Sequence, residues 1–311
     1  MRACRISHYG IVLALVFALL TVGCGGSKSL SRMTAGELFE KGRKAYEKEK
    51  YLKAIEILES CVYNYPGETI VDTAQYYLAL AYFGNGEYEV AQVEFNRLAL
   101  NYPASVYFEN AIFMRAVCHF EATPSHYGLD QDQLQTAIKE FEDFTIDFPE
   151  SDIAEDARKY LLVARTRLAR KCYESGVVYD RIGAYEAARI YFQRVIDDYT
   201  DTEFAPLATY EYACMDFKLN EFDAARGKFE DFFAVFPDHE LAPRAAEKAV
   251  VAAFKSGEAA FKRGDYTLAQ QKLELFKRDF PDNELTEKAD DYLNRITSAA
   301  PDSVQVENAD S

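Results

Sequence analysis

Tryptophan is absent from this 311-residue chain, and its four histidines, His8, His119, His126 and His239, stand in no zinc-ligand spacing. The six cysteines form no CxxC pair, and no Gly-rich phosphate loop, nucleophile elbow or HExxH stretch occurs. Neither a metal site nor catalysis is expected, and Asp and Glu fall mostly at helical spacings that put them on solvated faces. Long apolar runs are missing too: Ile11 to Leu20 is too short to span a membrane. Basic residues are few, 35 Lys and Arg against 51 Asp and Glu, for a net charge of −16. So acidic a chain does not seek nucleic acid or anionic lipid and favours partners with basic patches.

What is present is one pattern repeated six times: an aromatic residue or Leu, Ala three residues on, Leu or Phe at seven, and an aromatic residue with Pro at fourteen and fifteen. The copies are Tyr51/Ala54/Leu58/Tyr65-Pro66, Tyr88/Ala91/Phe95/Tyr102-Pro103, Leu134/Ala137/Phe141/Phe148-Pro149, Tyr185/Ala188/Phe192/Tyr199-Thr200, Phe222/Ala225/Phe229/Phe236-Pro237 and Tyr266/Ala269/Leu273/Phe280-Pro281. Only Thr200 breaks the register. Positions three, four and seven apart share a helix face and Pro ends a helix, so each copy predicts an amphipathic helix with a marked stop. With Ala79, Tyr82 and Gly86 in the preceding helix, the pattern resembles the tetratricopeptide repeat. That resemblance implies an all-α fold, a right-handed superhelical solenoid of about six such helix pairs plus a capping helix.

The first two copies are 37 residues apart, as are the fourth and fifth, and the longer intervals have local causes. Thr123 to Asp132, with Pro124 and Gly128, reads as a surface loop, and no breaker stands from Asp152 to Ser175, which predicts one long bridging helix with Ser151 as its N-cap. The last repeat starts near Pro243 with a first helix about two turns longer than the others, each pair is expected to turn at Gly or Asn, and Leu285 to Ile296 reads as the cap. The expected division is a signal peptide over 1–23, a lipidated Cys and flexible tether over 24–33, and three repeats over 34–150 with the insertion at 123–133. The bridging helix, repeats four to six and the cap occupy 151–298, then comes a disordered tail over 299–311.

Arg2 and Arg5 ahead of the apolar run read as an export signal, and Leu20-Thr21-Val22-Gly23-Cys24 resembles a bacterial lipobox, with Thr21 where Leu is usual. The resemblance implies cleavage before Cys24 and N-acyl and S-diacylglycerol groups on that residue as the sole membrane anchor, with no other cofactor. Gly25 in place of Asp points to the inner leaflet of the outer membrane, the periplasmic face. Loss of Arg2 and Arg5 takes the net charge from −16 to −18. Cys61, Cys118, Cys172 and Cys214 remain as small hydrophobes of the core.

In each pair the first helix is expected to line the inner face, and counting back from each Ala gives two ladders. One holds Phe39, Tyr76, Phe113, Tyr173, Tyr210 and Phe254, and the other Tyr46, Phe83, Phe120, Asp180, Phe217 and Phe261. Phe39, Tyr46, Tyr76, Phe83, Phe113 and Phe120 therefore form the candidate face for an extended peptide. Arg43, one turn from Phe39 and Tyr46, is the candidate partner for a terminal carboxylate.

A narrower likeness rests on the lipobox with Gly26-Ser27-Lys28, Ala81-Tyr82 with Asn85, Phe113-Met114-Arg115, Gly128-Leu129-Asp130-Gln131, Phe148-Pro149-Glu150-Ser151 and Arg167-Leu168-Ala169. Together these resemble the BamD family, lipoproteins of the β-barrel assembly machinery. The resemblance implies a scaffold that docks on the insertase BamA beside other assembly-machinery lipoproteins and receives unfolded outer-membrane proteins. It associates Tyr65 with substrate signalling, although Tyr102 and Tyr199 take the same turn position for structural reasons. This chain departs from the family by a sixth repeat and a longer tail, and Tyr191 stands where a charged Arg contact is aligned. Two other functions fit the residues: an envelope repeat lipoprotein in cell division or cell-wall synthesis, and a periplasmic receptor whose rings bind sugars.

Overall fold

A computed structural model describes residues 29–299, which contain a 3-10 turn at Leu30–Arg32, thirteen α-helices and no strand. In chain order the helices are α1 (Ala35–Tyr46), α2 (Tyr51–Asn64), α3 (Val71–Gly84), α4 (Tyr88–Asn101), α5 (Phe108–Ala122), α6 (Asp132–Asp147) and α7 (Ala154–Arg181). They continue as α8 (Tyr185–Asp198), α9 (Phe204–Lys218), α10 (Phe222–Val235), α11 (Ala242–Lys262), α12 (Tyr266–Asp279) and α13 (Thr286–Ala299). The fold is the expected all-α helical repeat. The chain divides into two compact units between Cys118 and His119, within α5.

The repeated pattern becomes the second helix of each pair. Ala54, Ala91, Ala137, Ala188, Ala225 and Ala269 are all fully buried, as are Leu58, Phe95, Phe141, Phe192, Phe229 and Leu273 four residues further on. Each of these large side chains contributes roughly 1.5–3 kcal/mol by leaving water. Five of the six press on the first helix of their own pair at a small residue sixteen positions earlier, Gly42, Ala79, Gly176, Ala213 and Gly257, whereas sixteen before Phe141 stands Ser125 in the 123–131 loop. A Cβ at Gly176 would lie 2.7 Å from the Phe192 ring, and one at Gly257 would lie 2.7 Å from Leu273.

Helix ends obey two rules. At the close of each second helix the aromatic residue takes φ between −133° and −121° and ψ between 43° and 61°, outside the helical region that a following Pro disfavours. Its carbonyl accepts from the N–H three residues on, in all six copies. Tyr199, followed by Thr200, makes the same turn, because the Thr202 hydroxyl also donates to the Tyr199 carbonyl at 2.8 Å and Arg165 donates to the Asp198 carbonyl at 2.8 Å. Between first and second helices the chain reverses through a left-handed residue, Gly86, Gly183, Asn220 or Gly264, closed by paired backbone bonds of the Schellman type. In the first pair that place is held by Glu49 at φ 55°, where Gly or Asn was expected, so the turn there carries the strain of a side chain in the left-handed region.

The long helix α7 runs for 28 residues, but its N-cap is Ile153 instead of Ser151. The Ser151 N–H is used in the turn with the Phe148 carbonyl, and the Ser151 carbonyl accepts from Ala154, so the helix starts after that turn. The insertion between α5 and α6 is organised by the buried Gln131, whose amide donates to the carbonyls of Pro124 at 3.0 Å and Asp130 at 3.1 Å. Lys171 of α7 ties the loop down through the Leu129 carbonyl at 3.0 Å. The first helix of the sixth pair, α11, has 21 residues against 15 in α9, the expected lengthening. Against it and α12, α13 packs Ala289 and Ile296 as a cap.

Candidate peptide-binding face

In the first unit the ladder rings meet through a residue outside the ladder. Tyr77 lies edge-on to Phe39 at 5.6 Å and to Tyr46 at 5.7 Å, and it adjoins Tyr76, which stacks on Tyr107 at 4.4 Å. Phe39, Tyr46 and Tyr76 therefore belong to one aromatic cluster. Phe39 is buried beneath it while Tyr46, Tyr76 and Tyr77 keep part of their surface in solvent. Burial, with Tyr46, Tyr107 and Tyr77 adding to it, pushes the Tyr76 hydroxyl up to about 12, so it stays a neutral donor and acceptor. Phe83 is half-buried and packs edge-on against Tyr88 at the α3–α4 turn.

Other candidates have different settings. Arg43 bridges Glu40, at 2.8 Å, and Glu47 along its own helix. Tyr65 caps α2 and its hydroxyl donates to the Met33 carbonyl at 2.7 Å, tying the segment before α1 to the first pair. Phe113 and Phe120 are buried, at 9% and 5% exposure, and contribute packing more than surface. Cys24 lies outside the described residues. Cys61, Cys118 and Cys214 are buried, and burial pushes the Cys61 thiol up to about 11 and the Cys214 thiol up to about 12, which keeps both protonated.

In the second unit cations cover the ladder. Arg167 lies 4.0 Å over Phe120, Arg244 lies 6.0 Å over Tyr210, Lys248 lies 5.5 Å over Phe217 and Arg295 lies 4.7 Å over Phe261. Each cation belongs to the next first helix or, for Arg295, to the cap, and such contacts contribute roughly 0.5–1 kcal/mol at exposed sites. Asp180, the one ladder position without a ring, recruits Lys218 from α9 at 2.5 Å instead. Behind this face Asp216 is fully buried, with Arg189 at 3.1 Å and Lys228 at 2.8 Å. Tyr77, Tyr107 and the cations are absent from the ladders counted along the sequence. A signal for the cations existed, since Tyr210 and Arg244, and Phe261 and Arg295, are both 34 residues apart.

Stacked helix pairs whose first helices display rings define a tetratricopeptide-repeat scaffold, and a tetratricopeptide-repeat family model matches residues 251–283. The particular family is set by residues 31–214, more than half the chain, which match the model described as outer membrane lipoprotein, YfiO; the chain belongs to that family. It is 27% identical over 198 residues to the outer membrane protein assembly factor BamD of Rickettsia prowazekii, covering 63% of this chain and 78% of that protein. It is 24% identical over 208 residues to BamD of Haemophilus influenzae, again covering 63% and 78%. The structure of the TPR2AB domain of yeast Sti1 aligns over 85% of this chain and 98% of that one, at a TM-score of 0.38 and 15% identity. Among the described residues no helix is long and apolar enough to cross a membrane.

Proposed function

We propose that this chain is a scaffold of outer-membrane β-barrel assembly, held at the periplasmic face by lipid on Cys24. It docks on the soluble domains of a BamA-like insertase beside other assembly-machinery lipoproteins, and it performs no bond chemistry of its own. Family membership over residues 31–214 is the observation that supports this reading. Recovery of a large barrel-forming insertase with the tagged chain from detergent-solubilised membranes is the expected result, and its repeated absence would refute the proposal. Mass spectrometry of the mature amino terminus checks the anchor, with a triacylated Cys24 expected.

The face that receives unfolded outer-membrane proteins is the aromatic cluster of the first unit. Tyr46 and Tyr76 offer ring surface over Phe39, Phe83 adds its ring beside Tyr88 at the α3–α4 turn, and Phe113 is buried support. Arg43 supplies charge at its edge, and Tyr65 holds the segment before α1 in place. Rings of this kind accept the aromatic residue that closes many barrel strands, each contact adding roughly 0.5–1.5 kcal/mol. A peptide ending in Phe should bind, and Tyr46→Ala with Tyr76→Ala should weaken it at least about fivefold. Unchanged affinity in a variant of unaltered helicity would remove these residues from the site.

A further inference from the structure

The outer membrane lipoprotein match ends at residue 214, and residues beyond it, from Phe217 to Tyr292, line a groove that this match does not cover. Between α9 and α11 lies a depression of about 360 Å³ floored by Phe217, Phe222 and Ala259, and between α11 and α13 a larger one of about 640 Å³ floored by Val251, Phe254, Leu285 and Tyr292. Lys255 and Glu258 line both, so the two adjoin and form one groove across α9, α11 and α13. At roughly 10 Å per helix it is about 20 Å long, the reach of six extended residues.

The groove changes sign along its length. At the α9–α11 end stand Lys218, Lys255 and Lys262, joined by Lys248 over Phe217 and Arg244 beyond it. The carboxylates facing them are Asp180 on Lys218, Glu211 near Lys248 and Glu258 between Lys255 and Lys262, which leaves that end positive. At the α11–α13 end stand Glu284, Glu287 and Asp291, faced by Lys288 and by Arg295, 3.7 Å from Asp291. Glu258 in the middle is neutralised: one oxygen accepts from Lys255 at 2.6 Å, and the other accepts from Tyr292 at 2.8 Å and faces Lys262 at 3.2 Å. The result is an apolar, ring-lined floor with a basic end and an acidic end, on a chain whose overall charge is strongly negative.

We infer that this groove docks an extended polypeptide segment with its charges in blocks: carboxylates at one end, a large apolar side chain at the centre, and Lys or Arg at the other. Nucleic acid is repelled by the α11–α13 end, and a small molecule would use only one of the two depressions. The site shares no residue with the aromatic face of the first unit, so either assignment can fail without the other.

Fluorescence anisotropy with the full chain tests this, using labelled Asp-Asp-Ser-Phe-Ser-Lys-Lys and a control of the same composition with alternating charges, Asp-Lys-Ser-Phe-Ser-Asp-Lys. The block peptide should bind at least about fivefold tighter at low salt, with the difference shrinking as salt rises. Lys248→Glu with Lys262→Glu, and separately Glu284→Lys with Glu287→Lys, should each abolish the preference. The second pair should instead raise affinity for a peptide acidic at both ends. All four positions are half or fully exposed, so helicity should be retained, and Gln at each provides a neutral variant that keeps size. Equal affinity for block and alternating peptides, binding of the block peptide weaker than about 1 mM, or a preference that survives both reversals would overturn the inference.

Discussion

Asp216 offers the sharpest test of the second unit's packing. Its carboxylate is fully buried on α9 and is offset by two cations from neighbouring helices, Arg189 of α8 at 3.1 Å and Lys228 of α10 at 2.8 Å. The hydrogen bond to Asp216 raises the Arg189 guanidinium above its usual range despite opposing burial, with Glu221 and Glu186 adding to it. Asp216→Asn keeps the shape and removes the charge. Arg189 retains Glu186 and Glu221, each at 2.7 Å, but Lys228 loses the carboxylate it faces. Two charge-assisted bonds at about 1.5–3 kcal/mol each set the upper limit. Because the side chains of Arg189 and Lys228 are 25% and 39% exposed, water recovers part of the loss, and about 2–4 kcal/mol is expected. Repeat arrays need not unfold all at once, so a single melting midpoint is a poor readout. Amide hydrogen exchange should show lost protection over α8, α9 and α10, with α1 to α4 unchanged, and added salt should not remove the difference because buried pairs are weakly screened. Unaltered exchange in those three helices, or a cost below about 0.5 kcal/mol, would mean that the pairs do not hold the helices together.

Two further outcomes are expected. Burial opposes ionisation of Glu258, but hydrogen bonds from Lys255, Tyr292 and Lys262 hold its carboxyl down to about 2, against 4.5 for an unperturbed glutamate. A depressed folded value stabilises above pH 4.5 and is lost as pH falls from there toward 2, a contribution of at most about 3.4 kcal/mol that solvent screening of the part-exposed Lys255 and the exposed Lys262 reduces to roughly 2 kcal/mol. Glu258→Gln should therefore show a flatter loss of α11–α13 exchange protection between pH 5 and pH 2.5 (about the window those values define), and equal slopes would contradict the assignment. Glu49→Gly relieves the left-handed strain of the first turn and should stabilise the first unit by about 0.5–1 kcal/mol, read as a higher urea midpoint; a lower midpoint would show that Glu49 is not strained.

The fold was legible because its rules are periodic. Ala at three and Leu or Phe at seven sit on one helix face whatever surrounds them, and every one of those twelve residues is fully buried. Even the start of α1 could have been read, since Thr34 and Glu37 form a capping box of the S/T-x-x-E kind. Thr200 was legible as a break but not as a harmless one: the turn it interrupts is kept by the Thr202 hydroxyl and by Arg165, 34 residues back from Tyr199, a partner no local motif names. The candidate face was legible only in part, for a related reason. A ladder counted along the chain gives the height of each ring on its own helix, whereas contact between rings depends on how far one helix is rotated against the next. That rotation places Tyr77, one residue past the ladder, between Phe39 and Tyr46, and sets Arg244 and Arg295 over rings one repeat earlier. Where the repeat length changes the offset changes with it, so Arg167 reaches Phe120 from 47 residues away, across the 123–131 loop and all of α6. In a helical array the core is fixed by the period, and the binding surface by the offset between neighbours. Charge reversal at paired positions such as Lys248 and Glu284 therefore tests the surface independently of the core.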